Sequence, residues 1–139
     1  MLQLFAGDAY RALKMGLDAS SLRHQVISNN IANVDTPRFR NRVVLFEDEL
    51  KQALFPGDDL TGRTTRAEHI PIGPQPFGRV DAKVTLSPAV TWRVDGNTVD
   101  IDLEATRMIQ NSGKYEAMSR LAAEYHRELR IAISGGTGG

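Results

Sequence analysis

Three histidines, His24, His69 and His126, are the side chains that acid–base or metal chemistry would draw on first. They fall in two helical stretches and a loop, at no metal-ligand spacing. His126-Arg127-Glu128 has no second histidine four residues from the first, so a zinc-helix motif is absent. Ser20, Ser21 and His24 share a helix face, but no glycine-framed turn surrounds those serines to expose a nucleophile and supply an oxyanion hole. They read as helix-surface polar groups. Gly135-Gly136-Thr137-Gly138-Gly139 follows a helix instead of joining a strand to a helix N-terminus, so it is not a phosphate loop. Trp92, Tyr115 and Tyr125 could stack on bases, yet Lys plus Arg equal Asp plus Glu at 17 each and no basic face accompanies the aromatics. No catalytic, metal or cofactor site and no nucleic-acid partner is expected. Cysteine is absent, which removes thiol chemistry and disulfides.

The elements of the chain point elsewhere. From Asp8 to Asn33 the sequence reads as helix, with Leu13, Leu17, Ile27 and Ile31 on one stripe and Met15, Ala19, Leu22 and Val26 on another. Ala9, Ala12, Gly16 and Ser20 interleave with the first stripe and allow a neighbouring helix to come close. Asn33 and Asp35 favour turns, and Pro37 pushes Thr36 out of the helical region, so the helix should stop near Asn33. Phe46, Leu50 and Leu54 predict a short helix over Leu45 to Phe55, and the proline- and glycine-rich stretch from Pro56 to Gly78 predicts loop. Val80, Ala82, Val84 and Leu86 alternate with polar residues, as do Val90, Trp92 and Val94 across Ser87-Pro88-Ala89, which predicts a small β-hairpin. Asp95-Gly96-Asn97 makes the next turn, and Asp100, Asp102 and Glu104 suit the positive end of a helix.

The last helix is expected from Asp100 to Ser134, with Met108, Ser112, Tyr115, Ala122, Leu129 and Ile133 near one stripe and Met118, Leu121 and Tyr125 beside it. It would be about 50 Å long at ~1.5 Å per residue, more than a compact domain needs. Gln110, Gly113 and His126 interrupt a heptad register, which favours helices packed among several neighbours over a stand-alone coiled coil. The fold class is therefore mainly α: long N- and C-terminal helices pairing as an extended coiled-coil-like bundle around a small central loop and β-hairpin region. The expected division is 1–36, an axial helix and hinge; 37–98, the centre; and 99–139, a second axial helix, with 1–36 and 99–139 forming one discontinuous domain. Leu13, Leu17, Ile27, Ile31, Met118, Leu121, Tyr125, Leu129 and Ile133 are the candidate assembly residues. Met1 is followed by no basic n-region and no run approaches the roughly 18 apolar residues of a membrane span, so neither a cleaved signal nor a membrane span is expected.

Asn30-Ile31-Ala32-Asn33-Val34-Asp35-Thr36-Pro37-Arg38-Phe39 resembles the N-terminal signature of the flagellar rod, hook and hook-associated axial proteins. The resemblance extends downstream through Glu68-His69-Ile70-Pro71, Asp95-Gly96-Asn97-Thr98-Val99-Asp100-Ile101-Asp102, Asn111-Ser112-Gly113-Lys114-Tyr115 and Leu129-Arg130. It makes Asn30, Ala32, Asn33, Asp35, Thr36, Pro37 and Phe39 the family motif and hinge. The family carries Gly then an aromatic after Thr-Pro, whereas Arg38 precedes Phe39 here; a positive-φ turn served by that Gly is expected to be built otherwise. What the resemblance implies is a structural subunit of the proximal rod, self-assembling through its terminal helices around the export channel and transmitting motor torque. It implies export without a cleaved signal into the periplasmic rod. The implied partners are copies of the chain, other rod proteins, a FliE-like adaptor, the membrane ring and the type III export gate. A neighbouring rod protein is the alternative within the family, and a soluble helical adaptor or chaperone the alternative outside it.

Overall fold

The structure, a computed structural model, describes residues 2–54, 80–88 and 93–135. In chain order the elements are α1 (Leu2–Ala32), β1 (Arg42–Leu45), α2 (Glu47–Leu54), β2 (Lys83–Leu86) and α3 (Ile101–Gly135). The fold class is the expected one. At ~1.5 Å per residue the 31 residues of α1 and the 35 of α3 make rods of about 46 and 52 Å. They run antiparallel, since Tyr10 meets His126, Gly16 meets Met118, Ser20 meets Asn111 and Asn30 meets Glu104. α1 starts earlier than the expected Asp8, because Gln3, Leu4 and Ala6 are strong helix formers and one interior glycine, Gly7, costs only about 1 kcal/mol.

The strand pairing differs from the local hairpin expected over Val80 to Val94. β2 pairs antiparallel with β1, with Arg42 opposite Leu86 and Val44 opposite Val84. Ser87 N–H extends the ladder to Asn41 O at 3.0 Å. Val90 and Trp92 lie outside the described residues, as does the loop expected from Pro56 to Gly78, and Val94 sits fully exposed in a turn. β1 escapes a periodicity reading because four residues, Arg-Val-Val-Leu, are too few to show alternation. Leu45 consequently belongs to β1, and α2 begins at Glu47, where Glu47, Asp48 and Glu49 complement the helix N-terminus. Asp100 Oδ1 caps α3 by accepting the N–H groups of Asp102 at 3.0 Å and Leu103 at 3.1 Å.

The interior is mixed. Among the described residues the buried apolar side chains are Ala19, Ile27, Val44, Phe46 and Val99, and the buried polar ones, Ser20, Asn30, Asn41, Ser87, Asn97, Glu104 and Asn111, outnumber them. A core of that kind specifies position through hydrogen bonds as much as through apolar area. Close approach of α1 and α3 depends on Gly16, where a Cβ would lie 2.8 Å from Met118 Sδ. Further along, Tyr10 and Tyr125 stack with ring centres 4.9 Å apart, and Tyr10 shares a 2.9 Å hydrogen bond with His126 Nε2.

The signature segment forms the turn after α1. Asn33, Val34 and Thr36 N–H groups bond back to Asn30, Ile31 and Asn33 carbonyls. Arg38 itself takes φ 60°, so the left-handed turn is kept by a residue with a Cβ, and the expectation that it would be built otherwise does not hold. Arg38 N–H is spent on Asp95 O at 3.0 Å, and Phe39 O accepts Thr98 N–H at 3.0 Å, which holds the backbone in that conformation. Gly96, at φ 74°, makes the facing turn. Between them Asn97 Nδ2 lies 2.9 Å from Asn33 O, 2.9 Å from Val34 O and 2.8 Å from Thr36 O, so two amide hydrogens are shared among three carbonyls of the turn just beyond α1.

Two outcomes follow from this turn. Arg38→Gly should raise stability by about 1 kcal/mol, the left-handed strain relieved less the added freedom of the unfolded glycine, read as a higher denaturant midpoint with an unchanged slope. Asn97→Ala should cost on the order of 3 kcal/mol, since the buried amide's bonds to three turn carbonyls and to Val99 N–H are lost together, read by the same unfolding curve.

Candidate functional site

The motif residues and the start of α3 are brought to one place by buried amides. Asn30 is 0% exposed; its Nδ2 donates to Arg42 O at 2.8 Å and to Glu104 Oε2 at 2.9 Å, and its Oδ1 accepts Arg42 N–H at 3.0 Å. One side chain thus joins α1, the backbone entering β1, and α3. Glu104, 1% exposed, is also paired with Arg107. Asn41 N–H donates to Thr98 Oγ1 at 2.8 Å, and that hydroxyl lies 3.2 Å from Asn41 Oδ1. Asn33 closes the helix end by donating from Nδ2 to Asn29 O at 2.8 Å. Ala32, Asp35, Thr36 and Pro37 stand exposed around this knot, and Phe39 is half-buried.

The candidate assembly residues divide. Ile27 is in the subunit's own core, and Leu13, Leu17 and Ile31 are half-buried. Met118 lies against Gly16 and Tyr125 against Tyr10, so both serve the contact between α1 and α3. Leu121, Leu129 and Ile133 remain exposed, together with Ile109 and Ile131, which the sequence reading did not single out. Ile109 and Ile133 keep 74% and 73% of their surface in solvent.

Asn97, Glu104 and Asn111 are the structural residues that sequence reasoning missed as such. Glu104 lies in the first turn of α3, as expected, and its carboxylate is also buried against Asn30. The signal was present: Glu104, Asn111, Met118 and Tyr125 recur every seven residues and form the seam of α3 facing α1. A stripe counted only in apolar residues breaks at its first two members. Among the described residues no group of histidines and carboxylates could hold a metal ion, and no helix is long and apolar enough to cross a membrane. Ser20 is buried at the helix contact, while Ser21 and His24 are exposed. His69 lies outside the described residues.

Glu47 ties α2 to both long helices. Arg23 Nη2 lies 2.7 Å from Glu47 Oε2, and Lys114 Nζ lies 3.5 Å from Oε1. Burial pushes its pKa up, but a backbone N–H, Arg23 and Lys114 outweigh it and hold the carboxyl below its ordinary value of 4.5. Asp95 is likewise held below 3.8, chiefly by the Asn97 N–H and also by Arg93. Lowered folded values mean that these carboxylates stabilise the fold above their ordinary pKa and lose that contribution as pH falls through the lowered ones. Glu47→Gln should therefore be less stable than the native chain at neutral pH, with the difference constant down to about pH 5 and vanishing below the lowered pKa, read by urea unfolding across pH.

Residues 12–40, which span most of α1 and the knot after it, match the family described as flagella basal body rod protein. The flagellar basal body rod protein FlgB of Borreliella burgdorferi is 35% identical over 120 residues, 84% of this chain and 89% of that protein. The FlgB of Salmonella typhimurium is 32% identical over 140 residues, covering 92% and 94% of the two chains. That of Bacillus subtilis is 28% identical over 137 residues, 97% and 99%. Identity at that level over nearly the whole of both chains, on a mainly helical frame whose signature segment is the knotted turn, means that the chain belongs to the FlgB family of structural flagellar basal body rod proteins.

Proposed function

We propose that this rod component is an axial subunit of the proximal rod that self-assembles through its terminal helices. The observation that carries the reading is the open apolar surface of α3: Ile109, Leu121, Ile131 and Ile133 all lie exposed along a helix that already packs on α1 through Asn111 and Met118. Fully burying such a side chain is worth about 1.5–3 kcal/mol, so these four offer roughly 6–12 kcal/mol, comparable with the roughly 4–15 kcal/mol cost of association. Contact with several neighbours at once tips that balance, which is the situation inside a helical tube and not in a small complex.

On this reading the segments 1–36 and 99–139 form the axial layer, lining the export channel and carrying motor torque, and the centre faces outward. A shaft must resist twist, and the hydrogen bonds of Asn30, Asn97 and Asn41 leave the turn between α1 and β1 little freedom. The neighbours are copies of the chain, other rod proteins and, at the rod base, a FliE-like adaptor, the membrane ring and the type III export gate. The subunit reaches the periplasmic rod by export without a cleaved signal.

The test is Leu121→Asp. Leu121 is exposed, so the purified variant should keep the helical circular dichroism of the native chain. In a deletion strain it should fail to restore swimming, with rods absent from purified basal bodies, while the native gene restores both. Normal swimming by the variant would overturn the assignment of exposed Leu121 to an assembly contact, and intact rods in the deletion strain would favour an adaptor.

A further inference from the structure

Beside the buried carboxylate a cleft of about 240 Å³ opens between α1, β1 and α3. That volume admits a side chain and its immediate neighbours, not a drug-sized ligand. Four cationic side chains line it against two carboxylates, Glu47 and Glu104. Both carboxylates are already paired, Glu47 with Arg23 and Lys114 and Glu104 with Arg107. The guanidinium of Arg42 is left without a partner among the described residues. On the same wall Asn111, 3% exposed, spends its N–H on Ser20 O and leaves Oδ1 with no donor. The cleft therefore asks for a carboxylate and an N–H group together, framed by the apolar Val26 and Val43.

We infer that the occupant is the first turn of α3 of a second copy, with Asp102 as the inserted carboxylate. Asp102 is exposed, and its carboxylate has no partner among the described residues. Exposed Ile101 and Leu103 flank it; Asp100 already takes the N–H groups of Asp102, Leu103 and Glu104, which leaves the Ile101 N–H as the first-turn donor without an acceptor among the described residues. Asp102 and Glu104 are two residues apart, hence on opposite sides of the helix, as the exposure of one and the burial of the other show. Knob and socket thus face away from each other on one subunit. A contact between them is heterologous and runs on from copy to copy, where a self-complementary patch would close at a dimer. The inference rests on the self-assembly reading and gives it a specific contact.

The test uses the full chain in sedimentation velocity across a concentration series at low salt, with variants Arg42→Glu and Asp102→Lys. Both side chains are exposed, and circular dichroism checks the fold. Each variant alone should associate at least tenfold more weakly than the native chain. An equimolar mixture should recover association, because the Lys knob meets the Glu socket and the native knob meets the native socket. Lys114→Glu, on the same wall, replaces Arg42→Glu should that variant lose helicity. Native-like association of both single variants, or no recovery in the mixture, overturns the socket while leaving self-assembly standing. A native chain that stays monomeric throughout overturns both.

Discussion

The arrangement hangs on a carboxylate buried between two helices. Glu104 at 1% exposure carries a desolvation cost of several kcal/mol, offset only by the Asn30 amide and Arg107. Asn30 is itself wholly buried and tolerable only because all its polar atoms are used, two of them on the backbone of Arg42. A slip of one turn, about 5.4 Å, would break the bond between them and take the Asn30 donor from the buried Glu104 Oε2. The buried pair therefore selects one register of α1 against α3 and one starting point for β1.

From that register the remaining contacts follow in order. Asn111 reaches Ser20, Met118 settles over Gly16, and Tyr125 stacks on Tyr10, each about two turns further along. In the other direction the chain leaves α1 through the left-handed Arg38 and is held by Asn97, which bridges three carbonyls from more than sixty positions away. The two halves of the molecule are thus joined by directional bonds where the apolar core is small. Such bonds fix angle as well as distance.

Polarity in this subunit is distributed against the habit of a free-standing domain. Buried positions are rich in amides, whereas isoleucines and leucines of α3 stand in solvent. Scattered apolar side chains on a surface need no explanation, but α3 exposes several large ones along its 35 residues. Internal hydrogen bonds define the chain's shape, and much of the apolar area of α3 is left in solvent. Membership of a rod family accords with that division of labour.

Periodicity and turn chemistry by themselves determined the two long helices, the stop near Asn33, the turn at Asp95-Gly96-Asn97 and the absence of any spacing suited to catalysis. These are local properties, written in residues three or four apart. The linear order also carried the family, through motifs spread along most of its length. What only the tertiary structure decided was pairing at a distance: β1 with β2, the carboxylate of Glu104 with Asn30, and Asn97 with the turn after α1. It also separated Ile27 and Met118, used within the chain's own packing, from Leu121 and Ile133, left exposed. A stripe of apolar residues specifies that a face will be buried; which surface buries it depends on register, and register is set here by polar partners whose meeting no local pattern announces.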